Sequence, residues 1–358
     1  MKKIKERGKS LWQRIKDKMP HMEVCFSKLK VKSKAGKLAF IFVPLILIGA
    51  GVGFGVGLTQ GHKAPVTKVD LTNYKNRRIY LVSNDNMTIP LTVSLQKRAT
   101  VGEEIRDIFN LLKTDSRANT NSIKGLIPAN TKLNSLEVFN DELVLDVSKE
   151  FLDYEKSSEK NLLESLTYTF GEYPDIEMLS IYVDGERLVK MPKNNTVVPD
   201  FLEKSFGINR NVNNATDISG KKMVNVYYTK TIDEKDYLVP VSQYVDAKQS
   251  EELQLVSAIS ANIDPTLGLK LCSEYSYIDA TQKDEDSTNI NLAVNKEALV
   301  EEGVVKKSLF ELVSLTLEDS YDTKAVNFYV EDEKMMVQGI VSPETYEVSS
   351  MIYNTIEL

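Results

Sequence analysis

The chain contains one sequence unit twice, at a constant offset of 147 residues, and no other feature limits its fold as strongly. Strand-like runs repeat at this offset, since Ile79-Tyr80 corresponds to Val226-Tyr227. Further apolar sets keep the same spacing: Leu143, Leu145 and Val147 with Ile290, Leu292 and Val294; Leu162, Leu163, Leu166 and Phe170 with Leu309, Phe310, Val313 and Leu317; and Ile181-Tyr182-Val183 with Phe328-Tyr329-Val330. Apolar positions that stay in phase across separate elements predict two tandem domains of one fold.

Each copy predicts the order strand, strand, helix, hairpin, helix, strand. The opening strands are expected at 78–83 and 89–95 in the first copy and at 222–229 and 237–243 in the second. Apolar stripes with helical spacing predict the two helices, and alternation on both sides of Asn140-Asp141 predicts the hairpin. The fold class is therefore α+β, with two helices packed on one face of a mostly antiparallel sheet in each domain.

The helices can be placed more closely. Thr100 and Glu103 have the spacing of a capping box, which predicts the start of the first helix. The second helix is expected at 158–172 and, in the repeat, at 303–320. The predicted core stripes of the first helices are Val101, Ile105, Ile108 and Leu112 in one copy and Leu253, Val256, Ile259 and Ile263 in the other.

Residues 38–58 form an apolar run of 21 residues without a charge. A helix of this length is roughly 31 Å long, which matches the hydrocarbon core of a bilayer. The preceding residues, 1–37, hold 13 Lys or Arg and three acids, although the whole chain has a net charge of −6. Short basic flanks stay in the cytoplasm, so we expect a single-pass type II protein of the cell membrane with its bulk outside the cytoplasm. A cleaved signal peptide is the alternative, but the basic region is long and no A-x-A site follows.

The remaining boundaries follow from the repeat and from composition. The segment 193–221 is rich in Asn, Lys and Ser and reads as a linker, although its apolar residues Val197, Val198, Phe201, Leu202 and Phe206 could dock on a neighbouring domain. The predicted organisation is a cytoplasmic basic tail at 1–37, a transmembrane helix at 38–58, a linker at 59–76, a first domain at 77–192, a linker at 193–221, a second domain at 222–341 and a tail at 342–358.

Five stretches of the first copy resemble a known family, the GerMN domain of spore-forming Gram-positive bacteria. They are Ile79-Tyr-Leu81, Leu126-Ile-Pro-Ala-Asn-Thr131, Leu145-Asp-Val-Ser-Lys-Glu-Phe151, Leu166-Thr-Tyr-Thr-Phe170 and Ile181-Tyr-Val-Asp-Gly185. The resemblance covers about 78–190, with a divergent copy at 222–340 in which the third stretch reads Leu292-Ala-Val-Asn-Lys-Glu-Ala298. It implies an envelope protein of sporulation or germination, and domains similar to the ring-building modules that stack side by side in trans-envelope assemblies.

The residues that usually carry catalysis are scarce in the two predicted domains. The only histidines, His21 and His62, precede both domains, which excludes triads and the usual His-containing zinc sites there. Asp284-Glu285-Asp286 lacks the spacing of a calcium loop, and Cys272 lies in an apolar run typical of a core residue. We therefore predict no catalytic, cofactor-binding or metal-binding residue and no cofactor. Pairs of carboxylates that could act as acid and base stay open from the sequence.

The sequence thus favours a non-enzymatic scaffold or adaptor of the cell envelope. Its expected partners are envelope proteins, the membrane through 38–58, and further copies of the chain through an exposed sheet edge. The acidity of the part after the anchor argues against nucleic acid. One alternative is a surface module that binds peptidoglycan or another glycan through Tyr182, Tyr227, Tyr228, Tyr275 and Tyr277. The other is an extracytoplasmic hydrolase that uses carboxylates alone.

Overall fold

A computed structural model of the chain places residues 69–358 in one compact unit. The structure describes residues 73–210, 218–259, 261, 265–269, 278–283, 289–321, 323–340, 346–347 and 351–358. The predicted basic tail and membrane helix lie outside these residues, and none of the described helices has the length and hydropathy of a membrane span.

Both copies contain their elements in the predicted order. In the first copy these are β1 (Tyr74–Ser83), β2 (Thr88–Gln96), α1 (Val101–Leu111), β3 (Ile123–Lys124), β4 (Leu133–Phe139), β5 (Glu142–Val147), α2 (Glu159–Phe170), β6 (Met178–Val183) and β7 (Glu186–Arg187). In the second copy they are β8 (Lys221–Ile232), β9 (Lys235–Asp246), α3 (Glu251–Ile259), β10 (Ile278–Lys283), β11 (Asn289–Val294), β12 (Leu299–Glu301), β13 (Val304–Val305), α4 (Lys307–Ser320), β14 (Ala325–Val330), β15 (Glu333–Lys334), β16 (Met336–Val337) and β17 (Tyr346–Glu347). The mixed α+β class predicted from the sequence is confirmed.

The opening hairpin of each copy belongs to a different sheet from the later strands. β1 pairs with β2 and β8 pairs with β9, whereas the later strands are ordered β4-β5-β6-β7 and β10-β11-β14-β15. Within these orders, β5 and β6 run parallel, and so do β11 and β14. We predicted a mostly antiparallel sheet, and these central pairs are the exception. Each is joined by a helix that carries the chain back to the end where the first strand began, which makes the next strand parallel.

Helix α2 lies between the hairpin and the four-stranded sheet, and its side chains contact both. Leu162, Leu163 and Leu166 are buried in the core of the first copy. On the hairpin side, the backbone N–H of Tyr80 donates to Thr169 Oγ1 at 2.9 Å, and Ser165 Oγ donates to the carbonyl of Tyr80. These hydroxyl groups satisfy backbone groups of a buried strand that would otherwise lack a partner there.

The first helices confirm one part of the predicted pattern and correct another. The capping interaction is present, because the N–H of Glu103 donates to Thr100 Oγ1 at 3.2 Å. Val101 is 49% exposed, however, since the first turn of α1 extends beyond the core that buries Ile105 and Ile108. In this helix, therefore, the predicted stripe begins one turn later.

The predicted stripe of α3 is wrong in its first member. Leu255 and Ala258 are fully buried, whereas Leu253 is 58% exposed, and Ile263 lies outside the described residues. The helix has nine residues, and apolar side chains occupy most of its positions. Periodicity alone could therefore not identify the side of α3 that faces the core.

Candidate functional site: the interface between the two copies

A cluster of paired charged side chains lies where the two copies meet. Glu172 follows α2, and Asp319 occupies the equivalent position in α4, 147 residues later. Lys204 Nζ lies 3.1 Å from Glu172 Oε1 and 3.5 Å from Asp319 Oδ1. One ammonium group therefore bridges two carboxylates that the repeat makes equivalent.

Two buried tyrosines extend this bridge symmetrically. Tyr80 donates its hydroxyl to Glu172 at 3.1 Å, and Tyr227 donates to Asp319 at 2.9 Å. Both rings are fully buried. Burial raises the pKa of both tyrosines, and the neighbouring acids raise it further, so that the hydroxyls stay protonated as donors.

Arg78 adds a second cation to the cluster. Its guanidinium lies 3.2 Å from Glu172 and 4.9 Å from the centre of the Tyr353 ring. Burial lowers the pKa of Arg78, but Tyr353 and Glu172 outweigh it and raise the net value. For Lys204, burial lowers the pKa, and Asp319 and Glu172 raise it above the ordinary value. Both cations are therefore held charged.

The cluster contains the facing carboxylates that an acid–base hydrolase would need, but their surroundings suit a different role. The side chains of Glu172 and Asp319 are only 15% and 5% exposed, and each contacts a cation and a tyrosine hydroxyl. The arrangement is suited to fastening the copies together.

A pair of asparagines joins the two hairpins in a reciprocal pattern. Asn209 accepts from the N–H of Thr88 at 2.8 Å and donates to the carbonyls of Thr88 and Pro240 at 2.7 and 2.9 Å. The interaction thus reaches from β2 of the first copy to β9 of the second. Asn209 itself has a φ of 46°, a left-handed conformation that asparagine tolerates better than most residues.

Asn354 makes the same interactions with the copies exchanged. It accepts from the N–H of Leu238 at 3.0 Å and donates to the carbonyls of Leu238 and Pro90 at 2.7 and 2.8 Å, and its φ is 49°. Pro90 and Pro240 are equivalent, because each pairs with the buried tyrosine of its own hairpin. Contacts exchanged in this way are the signature of a two-fold axis, so the tandem is a pseudo-dimer within one chain.

A buried carboxylate anchors the segment that follows the first domain. Glu159, which is 1% exposed, accepts from the N–H groups of Lys193, Asn194 and Thr196 at 2.8–3.0 Å and from the hydroxyl of Tyr154 at 2.6 Å. Burial raises its pKa, but the hydrogen bonds from Thr196, Tyr154 and the backbone outweigh this and lower it to about 2. Glu159 is therefore a charged structural group.

The stretch Leu145 to Phe151, the most specific piece of the family resemblance, has structural contacts. Asp146 accepts from the N–H of Gly185 at 3.0 Å and so supports the turn after β6. Ser148 Oγ accepts from the N–H of Lys132 at 3.0 Å, which ties the end of β5 to the start of β4. Phe151 is buried in the core. These contacts explain the motif as a fold signature.

The tyrosines considered for glycan binding are mostly unavailable. Tyr227 and Tyr228 are 0% and 2% exposed, and Tyr182 is half-buried. Tyr275 and Tyr277 lie outside the described residues. The same holds for both histidines, for both cysteines and for the acidic loop at 284–286. Within the part of the chain that the structure describes, no three His, Cys, Asp or Glu side chains form a group that could hold a metal ion.

The sequence did not reveal the residues that join the copies. Lys204 and Asn209 lie in the segment predicted as a linker, and Asn354 lies in the predicted tail. Of the apolar residues expected to be able to dock there, Val198 and Leu202 are buried, whereas Val197 and Phe201 remain exposed. The asparagines are 145 residues apart, outside the constant offset, so the repeat gave no signal for them.

Comparison with known proteins agrees with this architecture. The protein-family model Germane, described as sporulation and spore germination, matches residues 78–189. The spore germination protein GerM of Bacillus subtilis strain 168 is 22% identical over 285 residues, which are 78% of each chain. The solved structure of the tandem GerMN domains of the sporulation protein GerM from B. subtilis superposes with a TM-score of 0.66 at 20% identity, and covers 79% of this chain and 99% of that one. The first GerMN domain of that protein, solved alone, covers 36% of this chain with a TM-score of 0.34.

The resemblance read from the sequence is thereby confirmed. The chain carries two tandem GerMN-type domains, and it is similar to proteins of sporulation and spore germination.

Proposed function

We propose that this tandem GerMN-domain protein is a non-enzymatic scaffold or adaptor of the bacterial cell envelope that acts in sporulation or germination by binding other proteins. The observation that carries the proposal is the reciprocal contact of Asn209 and Asn354, because it makes the two domains one fixed block. A fixed block can present two binding surfaces in a constant geometry, which is what an adaptor requires.

The charged cluster supports the same proposal. Glu172, Asp319 and Lys204 pair with one another at the interface, so their charges contribute to the geometry of the block. The similarity to proteins of sporulation supplies the biological setting. Anchoring by residues 38–58, with both domains outside the cytoplasm, remains part of the proposal and would bring the block close to envelope partners.

Proximity labelling in the native host tests this function. A labelling enzyme fused after residue 358 should enrich envelope-assembly proteins in sporulating cells and not in growing cells. The matched control carries the same enzyme directly after residue 76, so that it shares the tail, the predicted anchor and the linker but lacks both domains. Equal enrichment by the two fusions, or no dependence on sporulation, would overturn the proposal.

A further inference from the structure

Strand β4 is a free edge of the first copy within the described residues. It stands at the end of the order β4-β5-β6-β7 and bonds only to β5 among them. The strand ends on two exposed apolar residues, Val138 at 42% and Phe139 at 71% exposure. Free edges that carry apolar side chains are templates for pairing with another strand.

The two copies differ in how this edge is protected. β4 reads LNSLEVF, with Glu137 as its single charge and without lysine or proline. The equivalent edge strand β10 reads IDATQK and carries both an acid and a lysine in its sequence. Charges, lysine above all, are the usual means of preventing edge pairing. Both strands contain a β-bulge, between Leu133 and Ser135 and between Ile278 and Ala280, so the two edges differ in their sequence charges. By this measure the edge of the first copy is the less protected one.

The turn next to β4 decides which backbone groups are available. Asn140 and Asp141 have φ values of 48° and 63°, which form a two-residue hairpin turn closed by Phe139 and Glu142. The closing pair bonds to each other across the hairpin. Because the pattern alternates, the N–H and C=O groups of Val138 and Leu136 point away from β5 towards the free side.

Only some registers are open to a second β4 strand running antiparallel. A register centred on Leu136 joins outward-pointing groups and places Glu137 opposite Ser135 of the other copy. A register centred on Glu137 places two glutamates opposite each other, and like charges at that position are destabilising. A register centred on Val138 pairs fewer residues because the strand ends at Phe139. Charge and hydrogen bonding together select the first.

We propose that β4 pairs antiparallel with β4 of a second copy of this chain, in the register centred on Leu136, and so forms a two-fold dimer of tandems. This inference rests on the proposed function, since it assigns the free β4 edge of the scaffold to self-association. A contact of identical strands closes on itself and produces dimers, not open filaments.

Disulfide trapping in the full-length chain in detergent tests the register. All chains carry Cys25→Ser and Cys272→Ser, so that only introduced cysteines can react. In the proposed register, positions 135 and 137 of opposite chains form a pair whose Cα atoms lie about 4.5 Å apart, within the range of a disulfide. Oxidation of a mixture of Ser135→Cys and Glu137→Cys chains should therefore give a cross-linked heterodimer. Efficient cross-linking of Glu137→Cys with itself, or of no pair, would overturn the proposal.

A proline substitution tests the edge itself. Val138→Pro removes an N–H that points away from β5, a position where an edge strand tolerates proline. The dimer loses two hydrogen bonds, so its dissociation constant in sedimentation equilibrium should rise about thirtyfold. The matched control Val138→Thr keeps the N–H and should dimerise like the parent. Circular dichroism of each variant shows whether the fold is retained.

The outcomes separate this inference from the proposed function. A parent chain that stays monomeric at all concentrations, or a folded Val138→Pro variant that dimerises unchanged, overturns the dimer even if proximity labelling enriches envelope proteins. If labelling fails while the cross-linked heterodimer forms, the scaffold role is overturned and the β4 contact stands.

Discussion

The two domains share a fold and a two-fold arrangement, yet they place opposite charges at the start of their second helix. In the first domain Glu159 is a buried anion that accepts hydrogen bonds from the backbone of 193–196. In the second domain the equivalent residue is Lys306, whose Nζ donates to the carbonyl of Glu297 at 2.7 Å. An anion is favoured at the start of a helix by the unpaired N–H groups there, and a cation is not.

A second difference lies in the core after the central strand. Phe151 fills the first domain at this point, whereas its equivalent in the second domain is Ala298, and both are buried. The buried tyrosines and the asparagines that join the domains are matched between the copies, whereas Arg78 and Lys204 have no like counterpart. A repeat can therefore diverge in its cores while it keeps matched contacts at its interface.

The largest expected effect is at the core position that differs. Phe151→Ala should lower the free energy of unfolding by about 4 kcal/mol, because it leaves a cavity in the first domain. The reciprocal change Ala298→Phe should cost about 2 kcal/mol by overpacking. Urea denaturation followed by circular dichroism measures both. If both variants lost less than about 1 kcal/mol of unfolding free energy, either side chain would fit either core, and the two cores would not differ as described.

The next effect is at the start of the second helix. Glu159→Gln should lower the free energy of unfolding by about 2 kcal/mol, because charge-assisted bonds to three backbone N–H groups are weakened. Lys306→Gln is the matched change in the second domain and should cost less than about 0.5 kcal/mol. The same denaturation assay compares them, and an equal loss for the two variants would contradict the contrast drawn between the domains.

The pH dependence should also come from the first domain. The pKa of Glu159 is depressed from 4.5 to about 2 in the folded chain, so its contribution is fully present above pH 4.5. That contribution is lost as the pH falls from 4.5 towards 2. The urea midpoint of the parent should therefore decrease in this window more than that of Glu159→Gln. Parallel curves would show that the carboxylate is not the titrating group.

The smallest expected effect concerns Asn209 and Asn354, the two asparagines that join the hairpins by equivalent contacts. Asn209→Gly and Asn354→Gly remove equivalent sets of hydrogen bonds without forcing another side chain into a left-handed backbone conformation. Each should cost about 1.5 kcal/mol, and the two values should agree within about 0.5 kcal/mol. Clearly different losses for the two variants would mean that the contacts of Asn209 and Asn354 are equivalent in geometry but contribute unequally to stability.

Much of the fold was predictable because its helices, strands and turns follow from patterns among residues that are close in the sequence. The hairpin turn at Asn140-Asp141 and the cap at Thr100 are short-range patterns, the repeat shows the order of elements a second time 147 residues later, and the structure contains each of them. The side of α3 that faces the core was not predictable, since apolar residues occupy most positions of that helix. The parallel central strands were missed because strand direction depends on where the connecting helix packs.

The residues of the candidate site could not be predicted from the sequence, and the reason is a different one. Lys204, Asn209 and Asn354 are single polar residues in segments without periodicity, and their partners lie far away along the chain. By itself the sequence determined that there are two copies, in which order their elements run, and to which family they are similar. Only the tertiary structure decided how the copies meet and which edge stays open, because hydrogen bonds between distant segments depend on geometry that apolar spacing does not record.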